Sequence, residues 1–437
     1  MSHVLRRSLT ADQPTIVKGE GSFLIDDTGK RYLDACGGAA VSCLGHSNDA
    51  VIEAIKSQLD KIPFAHTGFF TSEPAEELAD CLVERAPEGI GRVYFVSGGS
   101  EAIEAAIKLA RQVHLERGES ERRHIIARWQ SYHGNTLGAL SMSGNIGRRR
   151  RYVPMLLDVP HIPPSYCYRC WYGKTRDTCD LECARALDTQ IRAEGPEHVA
   201  AFIAEPFVGA TLGALPAAPG YFQLIREICD EHGVLFISDE VMTGFGRTGK
   251  EWGLDHWDTK PDIIATAKGL SGGYLPLGAT IASDKVYEGF GEPFAHGHTY
   301  GSHPVACAAG VAVLDYVNEH KLVERSRVNG EYMHKKLESF YDHPSVGDIR
   351  GKGLFAGIEF VKDKETKEPF DPETRFNRRV VDKCFDNGLL VYPGPGTIDG
   401  VRGDHIIVAP PLIASKDEVD EIIGLLDKSL TEVEEET

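Results

Sequence analysis

The chain has 437 residues, of which 42% are hydrophobic and 26% are charged, and its formal net charge is −18. A chain of this length can bury a large core and usually divides into more than one domain. The acidic balance disfavours a general attraction to nucleic acid or to an anionic membrane surface. We therefore expect its partners to be small molecules or further copies of the chain itself.

No run of 18 apolar residues occurs in the sequence, and the opening residues, MSHVLRRSLTADQP, contain no apolar segment typical of a signal peptide. The ten cysteines are too few for a disulfide scaffold of this length, so we expect most of them to be free thiols. These features predict a cytoplasmic protein without a membrane span.

Short apolar segments alternate with segments of helical period along the middle of the chain. VYFVSGGS precedes EAIEAAIKLARQVHLERG, HVAAFIAEPF precedes GYFQLIREICDEHG, and then come VLFISDEV and DIIATAKG. Such alternation predicts βα units around a mainly parallel sheet, with ligands at the carboxyl ends of its strands. We expect an α/β fold with a large domain at 61–300 and a smaller domain formed by 1–60 and 301–437.

A glycine turn follows the first of these strands, within VSGGSEAIEAAIKLAR at 96–111. Ser100 is predicted to cap a helix there, and the free N–H groups at the start of such a helix favour a phosphate. The segment lacks the Lys-Ser/Thr ending of a P-loop and the spacing of a dinucleotide fingerprint, so neither nucleotide site is indicated. The alternative is a tight strand-to-helix turn with a purely structural role.

Two further strand ends carry charged residues. VLFISDEV ends in Asp239 and Glu240, whose side chains should point to opposite faces, and DIIATAKG brings Lys268 to the same sheet edge. A carboxylate at a strand end can also serve as a helix cap or in a salt bridge. A lysine in a partly dry site has a lowered pKa, so its neutral amine can attack an aldehyde. An anion site, an aspartate for a pyridinium N–H and a nucleophilic lysine form the set that pyridoxal 5'-phosphate requires.

Seven segments resemble the class III, or ω-type, aminotransferases, which are fold type I pyridoxal-phosphate enzymes. They are GEGSFLIDDTGKRYLDACGGAAVSCLGHSN, FVSGGSEAIEAAIKLAR, SYHGNT, AEPF, FISDEVMTGFGRTG, ATAKGLSGGYLPLGA and HTYGSHPVACAAG. The resemblance implies a large domain with a mainly parallel seven-stranded sheet and a smaller α+β domain built from both termini. It also implies a homodimer with active sites at the subunit interface, with further assembly to a tetramer as the alternative.

The resemblance assigns roles to residues of this sequence. Lys268 would form the internal aldimine with pyridoxal 5'-phosphate and later move the proton between substrate and cofactor. Asp239 would pair with the pyridinium nitrogen. The other cofactor contacts would come from the phosphate site (Gly99, Ser100 and the partner subunit's Thr299), the two ring faces (Tyr132 and Val241) and two supporting residues (His133 and Glu205).

At two positions this chain differs from some members of the family, and these differences bear on its choice of substrate. Members acting on ornithine, acetylornithine or 4-aminobutyrate usually carry glutamine after DEV and arginine shortly before PPL, where this chain has Met242 and Ile407. The segment GVRGDHIIVAPPL resembles instead the amine or ω-amino acid:pyruvate branch, in which Arg402 would bind the keto acid's carboxylate. The alternative for Arg402 is an exposed loop residue. Phe69 and Phe70 would line an apolar substrate pocket, or else belong to the core.

We therefore expect a transaminase that moves an amino group from an amine or ω-amino acid to a keto acid, with pyruvate favoured, through a pyridoxamine phosphate intermediate. The alternatives are a lyase or aminomutase on the same scaffold and a 2-oxoglutarate-using aminotransferase of the 4-aminobutyrate or ornithine type.

Two clusters remain outside these motifs. The four cysteines of CYRCWYGKTRDTCDLEC form two pairs with an eight-residue gap, which is shorter than in common zinc modules. We expect a thiol-lined surface loop without a metal, with a zinc site or disulfides as alternatives. The arginine run at 148–151 is expected to be solvated or paired at an interface, with attraction of acidic substrates as the alternative.

Overall fold

A computed structural model describes residues 3–7 and 13–436. The strands are β1 (Ile16–Glu20), β2 (Phe23–Asp26), β3 (Arg31–Asp34), β4 (Ile90–Val96), β5 (His124–Arg128), β6 (His161–Ile162), β7 (Val199–Ala204), β8 (Phe207–Val208), β9 (Leu215–Pro216), β10 (Leu235–Asp239), β11 (Ile263–Thr266), β12 (Gly278–Ser283), β13 (Val346–Gly351), β14 (Ala356–Phe360), β15 (Leu389–Leu390), β16 (Tyr392–Pro395) and β17 (Asp404–Val408).

The helices are α1 (Gly37–Ala40), α2 (Asp49–Lys61), α3 (Glu73–Arg85), α4 (Gly99–Glu116), α5 (Leu137–Met142), α6 (Ile146–Arg149), α7 (Glu182–Glu194), α8 (Tyr221–His232), α9 (Asp284–Tyr287), α10 (Pro304–Glu319), α11 (Leu322–Leu337), α12 (Phe376–Asp386) and α13 (Lys416–Glu435). Within the described ranges, no helix combines the length and apolar character that crossing a membrane needs.

A seven-stranded sheet with the order β4-β12-β11-β10-β7-β5-β6 forms the centre of the molecule. β12 pairs antiparallel with both β4 and β11, and the remaining pairs in the sheet are parallel. β12 therefore runs against the other six strands. The expectation of a mainly parallel seven-stranded sheet in an α/β fold is confirmed.

Helices cover both faces of this sheet, which explains why its central strands are apolar throughout. Ile203 and Ile237 pack against α4, whereas their neighbours Phe202 and Phe236 pack against α7 and α8 on the opposite face. Successive strand residues point to opposite faces, so a strand covered on both sides has no solvent-facing position. The polar residues at the strand ends therefore stand out from a fully buried background.

The two ends of the chain meet in smaller sheets. β15 pairs in parallel with β3, which completes the sheet β1-β2-β3-β15, and β13, β14, β17 and β16 form another four-stranded sheet. One apolar core joins Leu33 from the first strands with Phe360 and Leu430 from the last third. This agrees with the expected smaller α+β domain from both termini. The domain boundaries at 60 and 300 stay predictions.

A buried charged cluster fastens the C-terminal sheet to the segment before α7. Glu359 on β14 accepts hydrogen bonds from Arg350 Nη1 and from Arg169 Nε, both at 2.6 Å, and from the Tyr166 hydroxyl. The Arg350 Nε–H also donates to the Leu212 carbonyl at 2.9 Å. A buried carboxylate normally incurs a large desolvation cost, which these charged donors offset.

Glu359→Gln removes the negative charge that faces two buried guanidinium groups. Because breaking a buried ion pair leaves a charge uncompensated, we expect a loss of about 3–5 kcal/mol in the free energy of unfolding. Urea unfolding followed by circular dichroism measures the loss. The control is Glu331→Gln, since Glu331 forms an exposed pair with Arg327 at 2.7 Å and should have little effect. Equal unfolding midpoints for the two variants would show that the cluster does not stabilise the fold.

Candidate active site

The predicted site residues come together because β4, β10 and β11 run in the same direction and end at one edge of the sheet. β10 ends at Asp239, β11 ends two residues before Lys268, and β4 leads into the turn at Gly99. A Cβ built on Gly99 would lie 2.9 Å from the side chain of Val241 and 3.7 Å from that of Ala267. The turn after β4 therefore contacts the segments that follow β10 and β11.

Lys268 begins a single turn of 3-10 helix immediately after β11. Its backbone has a φ of +49°, in the left-handed region that residues with a side chain adopt only when the surrounding structure requires it. Burial lowers the pKa of its amine to about 8, although the carboxylates of Asp239 and Glu205 act in the opposite direction. A much larger fraction of this amine is therefore neutral near physiological pH than in an ordinary lysine.

Asp239 is buried, and its two carboxylate oxygens have different partners. Oδ2 lies 2.7 Å from His133 Nδ1, and Oδ1 accepts the backbone N–H of Val241 at 3.0 Å. The other ring nitrogen of His133, Nε2, is buried without a hydrogen-bond partner among the described residues. This arrangement fixes the carboxylate while His133 keeps one nitrogen free.

The side chain of Glu240, the next residue, points to the opposite side of the strand from that of Asp239, as the alternation of strand residues predicts. Its carboxylate accepts the backbone N–H groups of Gly253 at 2.8 Å and Leu254 at 2.9 Å, together with the Thr243 hydroxyl. Burial raises the pKa of Glu240 to about 7. Glu240 thus fixes the backbone at Gly253 and Leu254, whereas Asp239 contacts His133 in the candidate site.

The glycine turn differs from its prediction in one respect. Ser100 does not cap α4, because the Gly98 carbonyl already accepts the Ala102 N–H at 3.0 Å and the helix starts at Gly99. The Ser100 hydroxyl instead donates to Asn135 Oδ1 at 2.9 Å and accepts the Asn135 N–H at 3.1 Å. The N–H groups of the first turn still have no acceptor within the helix, so the turn keeps its capacity for an anion.

Tyr132 and Glu205 complete the inner part of the site. Glu205 is buried and accepts the backbone N–H groups of Tyr132 and Gly209, each at 3.0 Å. Burial raises the pKa of Glu205, and the neighbouring His133 opposes that rise. Glu205 therefore holds the backbone on either side of the site in place.

The structure leaves four predicted site residues on the surface of the single chain. Phe69 and Phe70 are 81% and 67% exposed, so the alternative that they belong to the core is wrong. Thr299 is also exposed, in a turn. Arg402 is 60% exposed, and its Nε–H donates to Asp399 Oδ2 in its own loop at 2.7 Å. These four residues are therefore more exposed than Lys268, which is half-buried, and than Asp239 and Glu205, which are buried.

The arginine run at 148–151 divides into a half-buried and an exposed part. The guanidinium carbon of Arg148 lies 4.2 Å from the centre of the Tyr132 ring, and Arg149 donates to the Ser141 carbonyl at 2.6 Å. Arg148 and Arg149 are therefore half-buried rather than solvated, whereas Arg150 and Arg151 are exposed, and pairing of the run at an interface stays a prediction. Nothing in the local composition separates the four arginines, since their surroundings depend on tertiary contacts.

The cysteine-rich segment forms a surface loop in which Cys167, Cys170, Cys179 and Cys183 are free. The first three of these line a cleft of about 670 Å³ beside β13. The described residues hold one group of three possible metal ligands within 4.8 Å of one another, and it does not include these cysteines. That group is Asp188, Glu231 and His232. Arg192 already forms ion pairs with Asp188 at 3.0 Å and with Glu231 at 3.4 Å.

Comparisons with known proteins identify the family of the chain. A family model for class III aminotransferases matches residues 8–430. An uncharacterised aminotransferase of Schizosaccharomyces pombe is 43% identical over 424 residues, which cover 96% of this chain and 92% of the relative. An adenosylmethionine-8-amino-7-oxononanoate aminotransferase of Methanocaldococcus jannaschii is 36% identical, with 96% of this chain and 93% of the relative covered.

A solved structure extends the similarity to three dimensions. The ω-transaminase of Pseudomonas jessenii, in complex with PMP, superimposes with a TM-score of 0.91 at 33% identity. The match covers 96% of this chain and 93% of that one. The family of the chain follows from the match over nearly its full length together with the meeting of Lys268, Asp239 and the start of α4. This protein belongs to the class III aminotransferases, enzymes that depend on pyridoxal 5'-phosphate.

Proposed function

We propose that this aminotransferase moves an amino group from an amine or ω-amino acid to a keto acid, with pyruvate as the favoured acceptor. The observation that carries the reaction is the meeting of Lys268, Asp239 and the free N–H groups of α4 at one sheet edge. The choice of substrates is supported by the ω-transaminase similarity and by Met242 and Ile407, which stand where other branches carry glutamine and arginine.

The residues at this edge fit the cofactor. The first turn of α4 offers N–H groups to a phosphate, and the buried Asp239 carboxylate suits a protonated ring nitrogen. Gly99 leaves room that a Cβ would fill, since such an atom would lie 2.9 Å from Val241. When bound, pyridoxal 5'-phosphate supplies an aldehyde that captures the amino group and a ring that withdraws electrons from the neighbouring carbon.

We assign the proton transfer to Lys268. Its amine is largely neutral at slightly alkaline pH, so Nζ can take the proton from the substrate carbon that carries the amino group. Asp239, oriented by His133, would hold the protonated ring nitrogen of the cofactor. Tyr132 and Val241 would flank the ring, and Glu205 fixes the backbone of Tyr132.

We further propose a homodimer in which the partner's Thr299 completes the phosphate site. Tyr300, the residue after Thr299, is exposed, and its ring centre lies 6.0 Å from that of the exposed Phe64, five residues before the exposed pair Phe69 and Phe70. An exposed apolar patch of this kind is typical of an interface. On this proposal, Phe69 and Phe70 line the apolar part of a shared pocket. The cytoplasmic location and a tetramer stay predictions.

A second candidate donor is S-adenosylmethionine, because the Methanocaldococcus jannaschii relative carries that donor in its name. A lyase or aminomutase would use the same cofactor residues. Arg402 stays the sequence-based prediction for binding the acceptor's carboxylate.

A panel of donors and acceptors tests the proposed function. 1-Phenylethylamine, putrescine, β-alanine, 4-aminobutyrate and S-adenosylmethionine are each incubated with the holoenzyme, and the cofactor is then identified by chromatography. We expect at least one of the amine or ω-amino acid donors to convert it to pyridoxamine phosphate, and pyruvate to restore the original form faster than 2-oxoglutarate. Failure of every donor would show that the protein is not a transaminase, and product analysis would then distinguish a lyase from an aminomutase.

The lowered pKa of Lys268 predicts how the apoenzyme takes up its cofactor. Only the neutral amine attacks an aldehyde, so the rate should rise with pH through a midpoint at about 8. The ordinary pKa of a lysine amine is about 10.4. Stopped-flow absorbance measures the rate, with a blocked lysine derivative as the reference for titration of the cofactor itself. Lys268→Ala should form no covalent adduct after borohydride reduction. A midpoint equal to that of the reference amine would contradict a desolvated Lys268.

Gly99→Ala tests the close approach of the turn to Val241. The added methyl group must displace either Val241 or the start of α4, and such overpacking costs about 1–3 kcal/mol. We expect the dissociation constant of the cofactor to rise roughly 5- to 150-fold. Absorbance titration of the apoenzyme measures it. Gly424→Ala in α13 is the matched control, because its added Cβ meets no atom within 4 Å. Equal affinities in the two variants would remove Gly99 from the phosphate site.

A further inference from the structure

The loop that carries Arg402 joins β16 to β17 and spans residues 396–403. Arg402 is exposed at its tip, whereas Gly396, Thr397 and Gly403 form a buried base. The Gly396 N–H donates to the Gly403 carbonyl at 2.7 Å, which closes this base. Because Arg402 is the neighbour of Gly403, the groups that hold the base also determine where the Arg402 guanidinium can reach.

A buried amide side chain holds this base from outside the loop. Gln130 is 2% exposed, and its Nε2 donates to the carbonyls of Gly396 and Thr397, both at 3.1 Å. Its Oε1 accepts a hydrogen bond from the Asn145 side chain at 3.2 Å. The backbone of Gln130 has a φ of +59°, which a residue with a side chain adopts only when its surroundings require it. Both ends of the amide are therefore engaged in fixing the loop.

Gln130 also belongs to the segment that carries a residue of the candidate active site. It lies two residues before Tyr132, in the loop that follows β5. The backbone N–H of Tyr132 donates to the Glu205 carboxylate at 3.0 Å, so this segment is fixed at the site independently of the Gln130 side chain. A short series of contacts therefore joins Tyr132 to the base of the loop that carries Arg402.

Helix α6 packs closely against the same loop. A Cβ added to Gly147 would overlap the Gly400 carbonyl oxygen. Asn145, the partner of Gln130, caps α6, since its Oδ1 accepts the backbone N–H of Arg148 at 3.1 Å. One polar junction thus positions both the helix and the loop that rests on it.

We propose that Gln130 is a positioning residue for the carboxylate of the acceptor: by holding the base of the loop, it sets the reach of Arg402. This inference rests on the proposed function, transamination to a keto acid, in which Arg402 is predicted to bind the carboxylate. Gln130 acts through Arg402, because its own amide hydrogens are engaged by the two loop carbonyls. Its loss therefore affects substrates that carry a carboxylate and spares an amine donor without one.

Gln130→Met in the holoenzyme keeps the length of the side chain and removes the amide. We expect it to raise the KM for pyruvate about 5- to 30-fold, the factor that corresponds to one or two lost neutral hydrogen bonds. The half-reaction with 1-phenylethylamine, which has no carboxylate, and the dissociation constant of the cofactor should be little changed. Asn329→Leu is the matched control, because the buried Asn329 also donates to a main-chain carbonyl, that of Ala414 at 2.9 Å. It should change none of these quantities much.

A double variant tests whether Gln130 acts through Arg402. In the Arg402→Gln background the carboxylate has already lost its partner, so Gln130→Met should cause no further loss of pyruvate affinity. Two independent losses would multiply instead. Calorimetric titration of the pyridoxal-phosphate form with pyruvate measures the affinity without turnover, since that form has no amino group to give.

Gly147→Ala displaces the loop from α6 and leaves the Gln130 amide in place, so it tests the loop if Gln130→Met does not fold. We expect the same pattern, weaker binding of pyruvate with an unchanged 1-phenylethylamine half-reaction. Gly424→Ala is its matched control, because the added Cβ meets no atom within 4 Å.

Unchanged pyruvate affinity in Gln130→Met would overturn the role of Gln130, and so would unchanged affinity in Gly147→Ala if Gln130→Met does not fold. Equal losses for pyruvate and 1-phenylethylamine, or a loss that multiplies in full with that of Arg402→Gln, would overturn it too. The same holds if the unaltered enzyme does not bind pyruvate or if Arg402→Gln leaves that binding unchanged. If the unaltered enzyme binds pyruvate but transfers no amino group, the proposed function fails, and the calorimetric comparison still decides the role of Gln130.

Discussion

The active site depends on the shared direction of three strands, β4, β10 and β11. β10 and β11 are buried along their whole length, with apolar clusters on both faces, so their charged residues appear only where they end. Shared direction puts those ends at one edge of the sheet, where Gly99, Asp239 and Lys268 meet although long stretches of sequence separate them. Other parts of the site, such as Glu205 and His133, act by fixing what this edge brings together.

Desolvation gives the groups at this edge their different chemical roles. It lowers the pKa of Lys268 and raises that of Glu240, two opposite shifts that both favour the uncharged form. Asp239 is surrounded differently, with His133 on one oxygen and a backbone N–H on the other. A neutral amine can therefore lie near a carboxylate that is held by donors. Asp239 and Glu240 are both acidic, and they differ in their roles because their side chains have different neighbours.

Local patterns in the sequence were enough to predict the sheet and the meeting of Gly99, Asp239 and Lys268 at one of its edges. Strand periodicity, the glycine turn and the polar strand ends are encoded within a few residues, and the seven-stranded sheet confirms them. The prediction that Ser100 caps α4 was wrong. The start of a helix depends on which carbonyl accepts the first helical hydrogen bond, and here it is the carbonyl of Gly98. The contact of Arg148 with Tyr132 could not be predicted, because it joins two segments that no periodicity connects. Arg402 was assigned by resemblance, and its pairing with Asp399 depends on the conformation of one loop.

The reversed strand β12 shapes the site without adding a side chain to it. It lies between β4 and β11 in the sheet, yet the glycine turn after β4 reaches across it, because a Cβ built on Gly99 would lie 3.7 Å from the side chain of Ala267, the neighbour of Lys268. Because β12 runs the other way, it begins at this edge with Gly278, where an added Cβ would lie 2.5 Å from the Gly98 carbonyl oxygen. The absence of a side chain at Gly278 therefore leaves room for the glycine turn to cross the start of this strand. The approach of that turn to the lysine segment thus depends on a strand that supplies no group to the candidate site.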